Sequence, residues 1–278
     1  MSETIFLENK FLRIEIIPEL GGRISSVIFK PTGKEWVWSN TQLTTKKVEK
    51  GSSYDDNWQG GWEELFPNDA IEEFSWGTGR DHGELWFNSW NLTQNDKFKA
   101  TLTIDNLESD SKFTKIIDIS QSSMNVKYKG QIPFDDYFLF KLHLAVPLNR
   151  DLQIKVNAIN INKVDPEFGN ILNTEMESYF FSPKKDSGLY DFAYLDINKN
   201  QVEITDENND SMTLVFDDTV LKYFWIFQSQ GGWNNHNVVV LEPSTNSKKN
   251  IIEALEENKA IKGPVDFQTQ YRVEFSNK

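Results

Sequence analysis

The histidines are the first side chains in this sequence that could carry chemistry, because the chain has three of them and no cysteine. An imidazole changes its protonation near neutral pH, so it can give or take a proton in a reaction. His82 lies in the stretch GRDHGELWFNSW, directly before Gly83, which allows the backbone to turn tightly. His82 is therefore either a group that contacts a ligand or a solvated residue of a polar turn.

A second histidine, His143, lies in the stretch FLFKLHLAV, which alternates as a β-strand does. One face of this strand is apolar and consists of Phe138, Phe140, Leu142 and Leu144. The other face carries His143 together with Leu139, Lys141 and Ala145. A histidine opposite the core face of a strand is either solvated or part of a site on the sheet surface.

Glu242 follows four apolar residues in the stretch VVVLEPSTN and directly precedes a proline. Such a run is typical of a strand covered on both faces, and proline ends the hydrogen-bonded ladder. We expect Glu242 at the end of this strand and partly shielded from water, where a carboxylate binds protons more tightly and becomes a better general base. The alternative is a glutamate that pairs with a lysine or caps a turn. The third histidine, His236, lies upstream of this strand, and we expect it at the surface.

The stretch WQGGWEELFPND combines paired glycines with Trp58, Trp62 and several carboxylates and amides. Indole rings stack on the apolar faces of sugar rings, while carboxylates and amides bind hydroxyl groups. This mixture suits a carbohydrate pocket, and it equally suits a loop that aromatic side chains anchor.

Several catalytic and metal-binding patterns are absent from the sequence. The lack of cysteine excludes disulfides, thiolate zinc sites, iron–sulfur clusters and a cysteine nucleophile. Neither H-x-H nor H-x-x-x-H occurs, so a metal would have to be held largely by carboxylates. The patterns of serine hydrolases, phosphate-binding loops and dinucleotide enzymes do not occur either. We therefore expect no metal and no cofactor.

The charge balance bears on the partners of the protein. A net charge of -13, from 29 Lys+Arg and 42 Asp+Glu, repels phosphate backbones and anionic lipids. The start of the sequence lacks the basic and apolar regions of a signal peptide, and no stretch approaches the length of a membrane span. We expect a cytoplasmic protein that binds neither nucleic acid nor membranes.

The pattern of the whole chain predicts one all-β domain over residues 1–278, because no linker-like stretch divides it. In KFLRIEI, apolar and charged residues alternate, and the turn PELGG, the segment RISSVIFK, the turn PTGK and the segment EWVW continue an antiparallel meander. Many strands and few helices predict a β-sandwich.

Further strands are predicted at 86–92, 99–106, 112–118, 123–129, 137–146, 152–160, 201–206, 211–216, 222–228, 237–242 and 270–275. One short helix is predicted in NSKKNIIEALEENK, with Asn246 or Ser247 as its cap. The polar segment 41–58 is predicted to be a long loop, and long loops on a rigid sheet often carry binding residues.

Taken in order, five segments resemble the aldose 1-epimerase, or galactose mutarotase-like, superfamily, in a divergent branch. These segments are GGRISSVIFKPTGKEWVW, GGWEELFPND, DHGELW, KLHLAVPL and VVVLEPSTN. The resemblance covers nearly the whole chain. It implies a large two-sheet antiparallel β-sandwich with a site on a concave sheet surface, which agrees with the all-β pattern.

The resemblance also implies roles for individual residues. His82 matches the histidine that holds the sugar, His143 the general acid toward the ring oxygen, and Glu242 the general base. Members commonly have an arginine upstream of the first histidine, but here that stretch reads LFPNDA, with Asn68 and Asp69. Arg80 is nearer to the histidine but offset.

Three functions follow as hypotheses, all with a small-molecule sugar as ligand and with a monomer or homodimer as the assembly. The first is a mutarotase of a free aldose, with His143 and Glu242 as catalytic residues and with Trp62, His82, Asn68, Asp69 and Arg80 around the substrate. The second is a hexose-6-phosphate 1-epimerase, which requires basic residues for the phosphate. The third is a carbohydrate-binding protein without catalysis.

Overall fold

The computed structural model describes residues 4–164, 171–175 and 179–277. Its first strands are β1 (Ile5–Glu8), β2 (Leu12–Ile17), β3 (Arg23–Phe29), β4 (Lys34–Glu35), β5 (Trp62–Leu65), β6 (Glu72–Phe74), β7 (Gly77–Gly79), β8 (Asn91–Asn95), β9 (Lys99–Ile104), β10 (Lys112–Ser120) and β11 (Ser123–Ile132). The later strands are β12 (Tyr137–Phe138), β13 (Lys141–Pro147), β14 (Leu152–Val164), β15 (Ile171–Glu175), β16 (Tyr179–Phe181), β17 (Leu189–Asp206), β18 (Asp210–Phe216), β19 (Tyr223–Gln230), β20 (Asn237–Ser244), β21 (Ile261–Lys262) and β22 (Val265–Asn277). The helices are α1 (Tyr54–Asn57) and α2 (Ile251–Glu256).

The predicted all-β class is confirmed, and the alternation of apolar residues explains it locally. In β2, Leu12 and Ile14 are fully buried while Arg13 between them is exposed. Strand β2 pairs antiparallel with β3, and β3 pairs with β4, as the meander predicts. The turn signals of the sequence therefore fall where this part of the chain reverses.

The strands form two layers that share one long strand. One layer contains β8, β9, β10, β11, β22 and β18, and the other contains β1, β2, β3, β5, β13, β20 and β19. Strand β17 pairs with β19 through its first part and with β18 through its last part, so it connects the layers. All these pairings are antiparallel, as expected for a sandwich of this class.

The main core lies between the layers and takes side chains from both. It receives Leu142, Leu144 and Val146 of β13 and Phe140 directly before that strand, which continues the apolar face that the alternation predicts. From the opposite layer it receives residues such as Phe113 and Phe267. Since alternate residues of a strand point to opposite faces, the remaining side chains of β13 lie on the outer face of their sheet.

Some boundaries differ from the sequence prediction. The helix cap is Asn250, whose side chain accepts from the backbone N–H groups of Ile252 and Glu253, so the prediction of Asn246 or Ser247 is wrong. Those two residues are buried immediately after β20. The predicted strand 86–92 begins only at Asn91, because the aromatic residues before it pack in turns.

The predicted strand 137–146 is divided into β12 and β13. Strand β5 lies in a stretch in which no strand is predicted. Most of the predicted loop 41–58 is irregular, but it ends in the single turn of α1. Among the described residues, no helix has the length and apolar character that a membrane span requires.

A buried ion pair crosses the core. The Nζ of Lys115 lies 2.6 Å from a carboxylate oxygen of Glu64, and both side chains are almost completely buried. Lys115 also donates to the carbonyl oxygen of Gly22, and the hydroxyl of Tyr128 donates to Glu64. Removing one partner of such a pair leaves an uncompensated charge in the interior, which is more costly than replacing both.

We predict that Lys115→Met lowers the free energy of unfolding by about 3–5 kcal/mol, because it leaves the Glu64 carboxylate buried without its cation. The double variant Lys115→Met/Glu64→Leu should recover most of this loss. Urea unfolding curves measure both. The control is Lys30→Met, which removes the cation of an exposed pair with Glu8 and should change stability little. A Lys115→Met protein as stable as its parent would contradict the prediction.

Candidate active site

The candidate site begins with the register of β13 between its two neighbours. His143 lies directly opposite Glu63 of β5. On the other side, the pairing of Lys141 with Ser244 places His143 opposite Glu242 of β20. Residues opposite each other in adjacent strands point to the same face. Glu63, His143 and Glu242 therefore form a row across three strands, on the face away from the main core.

An open cavity of about 380 Å³ lies over His143 and Glu242, while Glu63 is outside its lining. Its polar lining consists of Asp69, His82, Lys141, His143, Glu242 and Lys249. Its aromatic lining consists of Tyr54, Trp58, Tyr190, Phe192, Phe227 and Trp233. The volume is in the range of small-molecule sites, and the combination of rings with charged groups suits a polar ligand that has apolar faces.

Lys141 links two carboxylates at the floor of the cavity. Its Nζ donates to Glu242 Oε2 at 2.6 Å and also to Asp69 Oδ2. The same ammonium lies 4.4 Å from the centre of the Trp225 ring, within the range of a cation–π contact. Burial alone would lower the pKa of Lys141, but Asp69 and Glu242 outweigh it and raise the pKa. Lys141 is therefore a fixed positive charge between two negative ones.

The two carboxylates respond differently to this charge. Burial raises the pKa of Glu242, and Lys141 offsets only part of that effect. Burial has the same sign for Asp69, but Lys141 and His82 together reverse it and lower the pKa to about 2. Asp69 is thus a permanent anion, whereas Glu242 is the carboxylate that is closer to accepting a proton. This difference fits Glu242 to a role as a base.

His143 is bonded through one ring nitrogen. Its Nδ1 lies 3.2 Å from the hydroxyl of Tyr54, which in turn donates to Glu63 at 2.5 Å. The Trp58 ring packs edge-on against the imidazole, with ring centres 5.2 Å apart. Burial, with help from the positive charge of Lys141, holds the pKa of His143 well below its usual value. The imidazole is therefore neutral near pH 7.

His82 has the opposite electrostatic surroundings. Its Nδ1 lies 2.7 Å from Asp81 and its Nε2 lies 3.8 Å from Asp69, while its ring stacks on Tyr54 with centres 3.9 Å apart. Burial would lower the pKa of His82, but the two carboxylates outweigh it and raise the pKa. His82 thus retains its proton to higher pH than His143 does.

The backbone at His82 follows from the tight turn that Gly83 allows. His82 has a φ of 58° and Gly83 one of 77°, both in the left-handed region. A Cβ atom at Gly83 would lie 2.0 Å from the carbonyl oxygen of Phe66, so only glycine fits there. This close approach brings the loop against the end of β5 and directs His82 to the cavity.

The predicted site residues fall into two groups. His82, His143, Glu242 and Asp69 all line the cavity. Trp62 does not, because it points to the main core, where its indole N–H donates to the carbonyl oxygen of Ala145 at 3.0 Å. Its ring has no exposed surface to offer a sugar.

Asn68 and Arg80 also lie outside the cavity lining. The amide of Asn68 is buried and donates to the carbonyl oxygens of Ala70 and Arg80, so it organises the loop. The guanidinium of Arg80 binds Glu108 at the surface. Arg80 is close to His82 in sequence, but its side chain points to Glu108 and not to the cavity. His236, expected at the surface, is buried between Trp38 and Trp233.

Sequence reasoning assigned no role to three residues that complete the site. The sequence pattern could have indicated Lys141, since it shares the outer face of β13 with His143. Tyr54 lies within the predicted loop 41–58, but its distance in sequence from His143 hides their contact. Glu63 lies in the stretch WQGGWEELFPND, which suits either a carbohydrate pocket or an anchored loop, and only the pairing of β5 with β13 brings it next to His143.

The donor set of the cavity does not favour a metal ion. Among the described residues, no group of three or more histidine and carboxylate side chains is arranged to hold one. The ammonium of Lys141 already lies between Asp69 and Glu242, which are the carboxylates nearest to the histidines.

A family model described as a domain of unknown function, DUF5107, matches residues 2–69. No curated protein matches the chain by sequence.

Solved structures of galactose mutarotase-like and aldose epimerase-like proteins are similar to the chain over nearly its whole length. A galactose mutarotase related enzyme from Lactobacillus acidophilus has a TM-score of 0.74 at 14% identity, with 100% of this chain and 98% of that chain covered. A galactose mutarotase-like protein from Lactobacillus casei has a TM-score of 0.72 at 15% identity, with 99% and 100% covered. A GalM/aldose epimerase homologue from C. elegans has a TM-score of 0.70 at 10% identity, with 100% and 99% covered.

Structural similarity at identities this low establishes the fold alone. The activity has to be argued from the side chains of the site. The agreement extends over both layers, since each comparison covers at least 99% of the chain. The chain therefore has the galactose mutarotase-like fold of the superfamily that its sequence resembles.

Proposed function

We propose that the protein is an aldose 1-epimerase, a mutarotase that interconverts the α and β anomers of a free aldose by general acid–base catalysis. The observation that carries the proposal is the placement of His143 and Glu242 opposite each other on neighbouring strands of one cavity. Two proton-transferring groups at a sugar-sized cavity are what ring opening requires. Sugar binding alone would not require this pair.

The reaction moves two protons in opposite directions. Glu242 removes the proton of the anomeric hydroxyl while His143 donates a proton to the ring oxygen. The bond between C1 and the ring oxygen breaks, and C1 becomes the carbonyl carbon of the open-chain aldose. After rotation about the C1–C2 bond, both transfers reverse and the ring closes as the other anomer. Positioned acids and bases each contribute roughly 10²- to 10⁴-fold to such a reaction.

The remaining groups of the cavity serve binding in this proposal. The half-buried rings of Phe227 and Trp233 offer apolar faces to the sugar ring. His82, held by Asp81, donates to a ring hydroxyl. Lys141 keeps Glu242 and Asp69 in place, so the base is fixed before the sugar arrives.

A sugar phosphate is the second candidate substrate, and Lys249 favours it. Lys249 is an exposed cation of the cavity lining, and it forms no ion pair with any residue that the structure describes. Arg80 gives no such support, because Glu108 occupies its guanidinium. A single exposed lysine is a weak phosphate site, since phosphate recognition usually employs several donors. The free aldose therefore remains the first candidate.

Anomer exchange measured by NMR on a panel of sugars tests the function. We expect the purified protein to accelerate exchange of at least one aldose, and to do so equally after exhaustive chelation. Glucose 6-phosphate in the same panel separates the two substrate classes. If chelation abolished the activity and a divalent ion restored it, the mechanism above would be wrong. If no sugar of the panel exchanged faster, a binding protein without catalysis would be the better description.

His143→Asn and Glu242→Gln supply the matched variants for this assay. Each should lower kcat by roughly 10²-fold or more while the fold survives. The double variant should be little worse than either single one, because acid and base act as a unit. Near-normal turnover in either single variant would remove that residue from its role.

The Lys141 contact predicts a shift in the pH profile. Burial and Asp69 raise the pKa of Glu242, whereas Lys141 and His82 lower it. Lys141→Met removes the nearest cation, so the pKa of Glu242 rises and the base becomes protonated at a higher pH. The acidic limb of the kcat/KM profile should therefore move to higher pH. Lys259→Met, which changes a lysine paired with Glu257, is the control. Superimposable profiles for Lys141→Met and the parent would contradict this prediction.

His82→Ala tests the division of roles between the histidines. An imidazole that binds a hydroxyl equally in ground and transition states affects mainly KM. We expect a clear rise in KM for His82→Ala, with a much smaller loss of kcat than in His143→Asn. Saturation kinetics on the best sugar of the panel measure both constants. Loss of kcat in His82→Ala, with only KM raised in His143→Asn, would reverse the assignment.

A further inference from the structure

Hydrogen bonds connect three buried polar groups in a series, and two of them, Tyr54 and His143, also line the cavity. The hydroxyl of Tyr54 lies 2.5 Å from Glu63 Oε1 and 3.2 Å from His143 Nδ1. The exposed fractions of Tyr54, Glu63 and His143 are 2%, 2% and 6%. The series runs from the Glu63 carboxyl group, which is outside the cavity lining, through Tyr54 to Nδ1 of His143. Its members come from α1, β5 and β13, so only the folded protein brings them together.

Because His143 is neutral, the hydrogen bond at its Nδ1 bears on how it can donate a proton. Burial, Lys141 and His82 all disfavour a positive charge on His143. A neutral imidazole has one N–H group, and losing that proton alone would leave a strongly basic anion. His143 can donate from Nε2 at low cost only if Nδ1 gains a proton in the same step. The group that faces Nδ1 is the hydroxyl of Tyr54.

Two arrangements of the protons satisfy the observed distances. In the first, the Glu63 carboxyl is protonated and donates to Tyr54, which donates to Nδ1, so that Nε2 of His143 carries its proton toward the cavity. In the second, Tyr54 donates to the Glu63 carboxylate, His143 donates from Nδ1 to Tyr54, and Nε2 is an acceptor. The two arrangements differ by one proton, which is the proton that the ring oxygen of a sugar must gain.

We propose that Glu63 and Tyr54 form a proton relay through His143, which supplies the proton to the ring oxygen on opening and takes it back on closure. This inference rests on the proposed function. Glu63 and Tyr54 are positioning residues in it, because they act on the sugar only through His143.

Each step of the relay balances. On ring opening, Nε2 gives its proton to the ring oxygen, Nδ1 receives the proton of the Tyr54 hydroxyl, and Tyr54 receives the proton of the Glu63 carboxyl. The imidazole and the phenol end as neutral as they began, and Glu63 becomes a carboxylate. Glu242 takes up the proton of the anomeric hydroxyl at the same time. Ring closure reverses every transfer, so no other reactant is needed.

The surroundings of the relay support these states. Burial and, to a smaller extent, Glu64 raise the pKa of Glu63, which favours its protonated form. Arg23 and the hydrogen bond from Tyr54 act in the opposite direction and lower that pKa. Arg23 is anchored by the carbonyl oxygen of Gly60. The positive charge of Arg23 therefore stabilises the carboxylate that the relay creates.

Tyr54 is suited to pass a proton without losing its own. Burial, together with Glu63 and Glu242, raises the pKa of Tyr54 well above its usual value. The phenol therefore stays protonated in both arrangements. Its ring is held between His82 and Trp86, which fixes the hydroxyl in place.

Nitrogen-15 NMR of the imidazole rings tests the relay without any sugar. The chain has three histidines, so His143→Asn identifies the signals of His143. In the parent protein we expect His143 to stay neutral and to change from the Nε2–H to the Nδ1–H tautomer as pH rises and Glu63 loses its proton. In Glu63→Gln and in Tyr54→Phe the tautomer should not change over that pH range. A tautomer that is independent of pH in the parent, or a change that persists in both variants, would overturn the relay.

Kinetics supply the second test, on the protein and sugar identified by the panel. Tyr54→Phe keeps the ring that stacks on His82 but removes the hydroxyl, so kcat should fall about 10²-fold with KM changed less than about twofold. Tyr137→Phe, on the short strand β12 and outside the cavity lining, is the matched control and should keep the parent's kcat. A Tyr54→Phe protein with the parent's kcat would refute the relay.

Failure of the proposed function and failure of the relay give different results. If the parent protein accelerates no anomer exchange while the tautomer change is present, the proposed function fails and the proton coupling stands. If the parent is active, while Tyr54→Phe and Glu63→Gln turn over normally, the function stands and the relay fails. Folding of each variant is checked by the dispersion of its amide NMR signals.

Discussion

The register of β13 between β5 and β20 is the constraint on which the rest of the site depends. It aligns Glu63, His143 and Glu242 in one row. A shift of one residue would turn His143 into the core and bring its apolar neighbours to the cavity. The register is held by burial of the opposite face of β13 and by the indole N–H of Trp62, which binds the carbonyl oxygen of Ala145 from the core side. The core thus determines the geometry of the polar surface.

Charge pairing then differentiates two histidines of the same cavity. His82 lies between the carboxylates of Asp81 and Asp69, whereas His143 faces a tyrosine and lies near the ammonium of Lys141. The pKa of His82 is raised and that of His143 is lowered. Environments that move the pKa values of similar groups apart are a common way to assign different proton-transfer roles. In this cavity the imidazole that keeps its proton to higher pH suits binding, and the neutral one suits a reversible relay.

The departure from the superfamily pattern has a structural counterpart. Where the resemblance leads one to look for an arginine, the chain has Asp69, and this carboxylate binds the ammonium of Lys141 from β13. The cavity thus contains a buried cation that comes from β13 and lies against Glu242. A fold shared at 10–15% identity is compatible with such exchanges, and they are the reason that the activity must be argued from the side chains.

The sequence by itself determined the all-β class, the alternating faces of β13 and the candidates His82, His143 and Glu242, because these depend on local periodicity, on turn residues and on ordered motifs. It could not separate Trp62, which lies in the core, from Trp58, which lines the cavity. Only the tertiary structure decided the hydrogen bonds of Lys141 to Asp69 and Glu242. The same holds for the hydrogen bonds that connect Glu63 to His143 through Tyr54. They join residues distant in the chain through strand register, and register follows from how whole sheets bury their apolar faces, which no short stretch of sequence specifies.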